Sequence, residues 1–373
     1  MEKEPIRVLQ VTTGLQAGGV QTFLLNYARN IDPKNIMFDY IVQTTNPCLY
    51  DEEVKEKGSR IYAVTPISES YIRFVRDVYR VCKEHPEDKI IHAHLNFSNL
   101  FPLFAAKLAG VSVRISHSHS HFNAISPLRA LFRKGAQLCL PLYATEYWGC
   151  SKEAMQWLYG KHAASKKGKL IFNAIDVSKY AFKQVKRDVM RENLGVYEKE
   201  KVWIHVGSFN TIKNQIFLIK LFEQYCKKHP NTKLILVGDG KLRDTIRETI
   251  EKLKLNDKVI MPGVVKDVEK YMMAADLFLL PSLFEGLPLV MVEAQATGLP
   301  CVVSSAVTKE VFFSQHVCSC KDFEMNTWLQ RIEKVSSIQI KREKGEKIVT
   351  EAGYDIRREA IKLVTYYEEC YRK

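Results

Sequence analysis

The stretch DLFLLPSLFEGLPLVMVEAQATGLPCVVS, residues 276–304, decides how the rest of this chain reads. Residues 276–280 are short and apolar without helical spacing, the pattern of a buried parallel strand. Pro281 and Ser282 break that run, and Gly286 and Pro288 punctuate the loop that follows. Residues 289–297 then read as a helix ended by Gly298 and Pro300, and 301–303 start the next buried strand.

The chemistry lies where loop meets helix. Glu285 and Glu293 stand eight residues apart, one in the loop and one inside the helix. Between them Gly286, Leu287, Pro288, Leu289 and Val290 form a helix opening, whose unpaired N–H groups and dipole favour anions. Gly286 permits close approach of a ligand to the backbone, and Pro288 suits a first turn because its missing N–H is not needed there. Carboxylates repel phosphate but accept sugar hydroxyls well. A ligand with both a diphosphate and sugar hydroxyls suits this set; a nucleic-acid backbone does not.

The segment EGLPLVMVE resembles the E-x7-E signature of family 4 of the retaining glycosyltransferases, and the likeness extends over nearly the whole chain. The resemblance implies the GT-B fold: an α/β architecture of two facing Rossmann-like domains with a cleft between them. It also implies transfer of a hexose or N-acetylhexosamine from a nucleoside-diphosphate sugar, with UDP the expected nucleotide and the anomeric configuration retained. Bacterial exopolysaccharide and capsular polysaccharide members are the most similar. Two other classes share such motifs, a sugar-nucleotide epimerase of the same fold and a binding subunit without turnover.

Bulk properties fit two α/β domains: 373 residues with 46% hydrophobic content give enough apolar surface for two cores. The nine cysteines are scattered and lack a C-x-x-C pair, which predicts reduced thiols in a cytoplasmic chain. His316, Cys318 and Cys320 have the wrong spacing for zinc. A charged start running straight into a strand predicts no signal peptide, and no uncharged apolar run reaches the ~18 residues of a membrane span. The net charge of +13 concerns partners rather than fold. Residues 89–145 contain no Asp or Glu but six cations: Lys89, Lys107, Arg114, Arg129, Arg133 and Lys134. There Leu128, Leu131 and Phe132 stand beside Arg129, Arg133 and Lys134. Either an interfacial amphipathic helix or a packed helix with solvated cations has that composition.

The chain opens as strand, glycine turn and helix (IRVLQVTTGLQAGGVQTFLLNYARNI), with Gly14, Gly18 and Gly19 in the turn. Strands at 37–43, 60–64, 89–92 and 111–116 alternate with helices at 51–57 and 71–84, which predicts a parallel sheet covered on both faces. His92 and His94, then His117, His119 and His121, follow strand ends, where such sheets bind ligands. Alternate residues of an extended segment point the same way, so three of these imidazoles could meet a metal. No carboxylate or cysteine accompanies them, and we expect no metal. The resemblance implies one histidine here against donor sugar and acceptor, His119 or, one register step away, His117. Ser151 suits a helix cap.

Asn173, Ile175 and Asp176 match the family's inter-domain N-G-(I/V)-D, with Ala174 for the glycine. We therefore expect domains at 1–172 and 201–353, a linker at 173–200, and a helix at 354–373 crossing back to the first domain. Ile356, Ala360, Val364 and Tyr367 have helical spacing in that last segment. In VWIHVGSFNTIKN the resemblance implies a diphosphate site at Gly207 and Lys213, but Ser208 stands where the family has an Arg. Gly238, Gly240 and Gly263 follow the next two strands, and Glu310 lies near a further family Glu. The implied roles are hexose binding by Glu285, ribose binding by Glu293, and stabilisation of the leaving diphosphate by Lys213 and the 286–290 amides. With no Asp-x-Asp pair, no obligatory cofactor is expected. The expected partners are the nucleotide-sugar donor, a polyprenyl-diphosphate-linked or other glycan acceptor, and the anionic inner face of the membrane.

Overall fold

The computed structural model describes residues 4–16, 18–119 and 127–372, leaving out the side chains of 127–129 and 132–133. His121 lies outside the described residues, as do the side chains of Leu128, Arg129, Phe132 and Arg133. The chain forms two compact units, Met1–Ala174 with Ile356–Lys373, and Ile175–Asp355.

The first unit is a seven-stranded sheet: β1 (Ile6–Thr12), β2 (Ile36–Val42), β3 (Ile61–Ala63), β4 (Ile90–Ala93), β5 (Val113–Ser118), β6 (Glu146–Gly149) and β7 (Gly168–Leu170). Its order is β3-β2-β1-β4-β5-β6-β7, and every pair is parallel. Neighbours on β1 bury into opposite cores: Val8 packs with Phe23, Tyr27 and Tyr367, Leu9 with Phe74, Val78 and Leu103. That two-residue alternation makes the strands apolar on both faces. The helix Ile356–Arg372 covers the first of these cores through Ile356, Ala360, Leu363, Tyr367 and Cys370. Ser151 does cap the helix Lys152–Tyr159, its Oγ accepting from the Ala154 amide at 3.0 Å.

The second unit holds β8 (Lys201–Val206), β9 (Thr232–Val237), β10 (Val259–Gly263), β11 (Leu277–Leu280), β12 (Cys301–Ser304) and β13 (Val317–Cys320). These pair in the order β10-β9-β8-β11-β12-β13, all parallel. Trp203, Phe222, Leu234, Leu277 and Trp328 fill one of its faces. Residues 173–200, expected to form a linker, instead contain helices Val177–Tyr180 and Gln184–Asn193. The second is held by arginine: Arg187 donates to the carbonyls of Met273, Ala274 and Ala275, and to Asp276 Oδ1 at 2.7 Å. Arg191 and Arg342 add donors to the same turn, so three guanidinium groups meet the negative end of helix Val268–Ala274. The described residues include all nine cysteines, and none of them is in a disulfide. No helix among the described residues is long and apolar enough to cross a membrane.

Candidate active site

In both sheets the strand order reverses direction once, between β1 and β4 and between β8 and β11. Ligands of open α/β sheets bind beyond the carboxyl ends of the strands at such a point. The loop after β8 carries Gly207, Ser208 and Lys213, and the loop after β11 carries Glu285. They meet: Lys213 Nζ lies 2.5 Å from Glu285 Oε1, with both side chains largely buried. The Leu283 amide donates to the Ile212 carbonyl at 2.7 Å, which fixes the two loops in register. A Cβ on Gly207 would lie in ordinary van der Waals contact with Lys213 Cδ and Cε at 3.4 Å, so the lysine stem runs directly past the glycine. Behind it, His205 Nδ1 donates to the Leu279 carbonyl at 2.9 Å and Nε2 faces Gln215, whose amide also donates to the Ser208 carbonyl. Burial lowers that imidazole to about 4, so it stays neutral as a strut between β8 and β11.

The E-x7-E helix runs Leu289–Ala296, with Pro288 as its N-cap and no side chain capping it. Pro288 has no N–H, so the opening offers the amides of Gly286, Leu287, Leu289 and Val290. All four residues are half-buried beside Glu285. Glu293 does not stand alone. Burial raises its carboxyl, partly offset by a hydrogen bond from the Tyr180 phenol and by Lys179. Tyr180 was not legible as a site residue, because its helix lies in the segment expected to be a linker. Ser208 is exposed, and Lys213 is the cation facing Glu285. Gly238 has φ +136°, and a Cβ there would lie 2.1 Å from the Gly207 carbonyl oxygen, so the β8 and β9 loops approach only through glycine. Gly238 N–H donates to the Gly263 carbonyl at 2.9 Å, joining the β10 loop to this group. Glu310 sits on the short turn Lys309–Val311, its amide held by Thr308 Oγ1 at 3.2 Å. Asp176 is a helix cap, accepting from the Ser178 amide and hydroxyl.

In the first unit the matching position is a cleft of about 500 Å³ lined by Thr12, Thr13, Gly19, Gln21, His94 and Asn96, among others. Gly19 begins the helix Gly19–Asn30 and has open space where a Cβ would be. His117 ends inside β5 and His119 just beyond it, two residues later than the expected strand end. Both are buried with His92 and His94 of the β4 end. Burial drives the imidazoles far below their ordinary range, His119 to about 3. One nitrogen each from His92, His94 and His117 lie within 4.8 Å of one another.

Three comparisons bear on this arrangement. The model of the family "Glycosyl transferases group 1" matches residues 186–351. The chain is 32% identical over 98% of its length to the Bacillus subtilis (strain 168) protein named "Putative glycosyltransferase EpsF", and spans 97% of that protein. It is 27% identical over 241 residues to the Escherichia coli UDP-Gal:alpha-D-GlcNAc-diphosphoundecaprenol alpha-1,3-galactosyltransferase, covering 61% of this chain and 60% of that one. Among solved structures, Anabaena Alr3699/HepE in complex with UDP matches 98% of this chain and 100% of its own at a TM-score of 0.77 and 19% identity, a likeness of fold. Two parallel-sheet units, an E-x7-E helix at a strand-order reversal and relatives over the full length agree: this chain belongs to the glycosyl transferases group 1 and has the GT-B fold.

Proposed function

We propose that the protein moves a hexose or N-acetylhexosamine from a UDP-sugar to a polyprenyl-diphosphate-linked glycan, with retention, during assembly of an envelope polysaccharide. The observation that carries this reading is the Lys213–Glu285 ion pair beside an uncapped helix opening. Without donor, the carboxylate neutralises the ammonium. A diphosphate competes for Lys213 and for the amides at 286–290, and Glu285 is released to accept hydroxyl groups of the sugar. As the bond from the anomeric carbon to the diphosphate oxygen breaks, negative charge grows on the diphosphate, where these fixed donors stabilise it. The acceptor hydroxyl oxygen bonds to the anomeric carbon, and its proton passes to the departing phosphate. Glu293, held by Tyr180, binds the ribose, and His119 contacts the transferring sugar. No residue is assigned to a metal.

Chemistry and relationship together support this acceptor. The first unit's cleft opens onto the start of helix Gly19–Asn30, a site for acceptor phosphate. The Escherichia coli relative is named for a diphosphoundecaprenol acceptor. Attachment to the inner face of the membrane is assigned to helix Pro127–Tyr143, on which Leu131, Leu138 and Leu142 are exposed. The deciding experiment incubates the protein with UDP-hexoses, UDP-N-acetylhexosamines and polyprenyl-diphosphate-linked sugars, and reads the lipid by mass spectrometry. A gain of one sugar residue with stoichiometric UDP release is expected. Conversion of a UDP-sugar with no acceptor present would point to an epimerase instead.

A further inference from the structure

Two hydrogen-bonded chains in the first unit start at Gln10 on β1 and end at His119 and His117. The His94 Nε2–H donates to Gln10 Oε1 at 2.8 Å, which leaves His94 Nδ1 bare. That nitrogen lies 2.7 Å from His119 Nε2, which must then be the N–H, so His119 Nδ1 is bare. On the other side Gln10 Nε2 donates to Tyr367 Oη at 3.2 Å. The phenol proton therefore goes to His92 Nδ1 at 2.7 Å, and His92 Nε2–H donates to His117 Nδ1 at 3.0 Å. His117 Nε2 is thus an N–H. Neutral imidazole has one donor and one acceptor nitrogen, so each link fixes the next.

The two chain ends are buried side-chain atoms without a hydrogen-bond partner, His119 Nδ1 and His117 Nε2. Their rings stack 4.1 Å apart at 7°. The chains thus end in a bare acceptor and an N–H donor on stacked rings, and buried unpaired polar atoms need an explanation. We infer that Gln10 and Tyr367 are positioning residues that set these tautomers, so that His119 keeps a bare acceptor nitrogen for a sugar hydroxyl while the fully buried His117 beneath it keeps an N–H. This rests on the reading that His119 faces the transferring sugar. A metal is the weaker account of the cluster. The bare nitrogens of His92, His94 and His117 each already accept a hydrogen bond, and an ion would displace all of them.

The test is ¹⁵N NMR of the full chain labelled at histidine, assigned by replacing one histidine at a time. In the resting protein His92, His94, His117 and His119 should all be Nε2–H tautomers with bare Nδ1. Turning the Gln10 amide over reverses every proton, so four Nδ1–H tautomers, or imidazolium, would overturn the assignment without need of a variant. Gln10→Leu should let His94 and His119 populate both tautomers, and Tyr367→Phe should do the same for His92 and His117. Turnover of Gln10→Leu should fall at least in proportion to the lost bare-Nδ1 population of His119. Unchanged tautomers in Gln10→Leu would refute the relay, as would stoichiometric Zn²⁺ binding that His94→Gln abolishes. Shifted tautomers with wild-type turnover in both Gln10→Leu and His119→Gln would keep the relay and remove His119 from the transfer site.

Discussion

Lys213 and Glu285 are paired with each other in the resting protein, and this changes what each substitution should do. Lys213→Ala should weaken UDP binding by about 2–3 kcal/mol, the loss expected for a charge-assisted contact to phosphate. Glu285→Ala should lower kcat by roughly a hundredfold, or about 3 kcal/mol, while leaving UDP affinity equal or higher because the ammonium at 2.5 Å is no longer shared. Calorimetry with UDP and turnover on the same samples separate the two effects. If Glu285→Ala weakened UDP as much as Lys213→Ala did, the carboxylate would belong to the nucleotide site and not to the sugar. The sequence made Glu285, Lys213 and Gly207 legible because they lie in or beside motifs with fixed spacing. Their direct pairing was not legible, since it depends on the register of two loops tied by the Leu283–Ile212 hydrogen bond. Tyr180 against Glu293, and Gln10 with Tyr367 behind the histidines, escaped for the same reason. Each comes from a part of the chain whose local pattern says only helix, strand or charged segment.

Elements were read better than side-chain partners wherever apolar period and punctuation coincided. Helix Tyr71–Glu84 was legible to the residue, and strands Ile36–Val42 and Ile90–Ala93 were displaced by one. The charged run around Gln184–Asn193 reads as a solvated linker, because nothing local shows that Arg187 and Arg191 are spent on carbonyl oxygens of another helix end. The ends of β4 and β5 carry a consequence of their own, since they bury four imidazoles in neutral form. An unfolded chain protonates these rings below about pH 6.5, so it binds more protons than the fold does and stability falls as pH drops. Each ring adds up to about 1.4 kcal/mol per pH unit once the unfolded histidines are charged. Glu87, held down to about 2 by the Arg60 hydrogen bond, works in the same direction at lower pH. Asp88, pushed up to about 6 by burial despite Arg60, opposes it. The second unit has one such buried ring, His205. We predict that the first unit loses hydrogen-exchange protection before the second as pH falls from about 6.5 to 4. Equal protection of both units across that range would show that the histidines are not buried neutral.

At the scale of the whole molecule, the excess of positive charge is concentrated in residues 89–145, where six Lys or Arg meet no carboxylate. Not all six are available to a partner. Arg114 donates to the Tyr143, Val111 and Ser112 carbonyls, Lys107 to the Leu142 carbonyl, and Lys89 lies over the Tyr371 ring at 5.1 Å. Arg114 and Lys107 thus serve the carboxyl end of helix Pro127–Tyr143, where cations suit the dipole. Lys134 is exposed on that helix, and the side chains of Arg129 and Arg133 lie outside the described residues. What the structure adds to the sequence is the apolar half of the surface. Leu131, Leu138 and Leu142 are exposed by 68%, 78% and 59%, while Ala136 and Leu140 are buried, so the helix packs on one side and presents leucine on the other. At ~1.5–3 kcal/mol for each leucine fully buried, and about 1 kcal/mol for each basic residue near an anionic surface, we predict that this helix gives reversible attachment in two parts. The parts respond differently to salt, because the Debye length falls to about 3 Å at 1 M and screens only the charges. We predict flotation with anionic vesicles that weakens in high salt without vanishing. Leu131/Leu138/Leu142→Ser should remove the salt-resistant fraction, and Arg129/Arg133/Lys134→Ala the preference for anionic over neutral lipid. Equal flotation of wild type and both variants would exclude this helix as the anchor and turn the search for the acceptor toward glycans free of lipid.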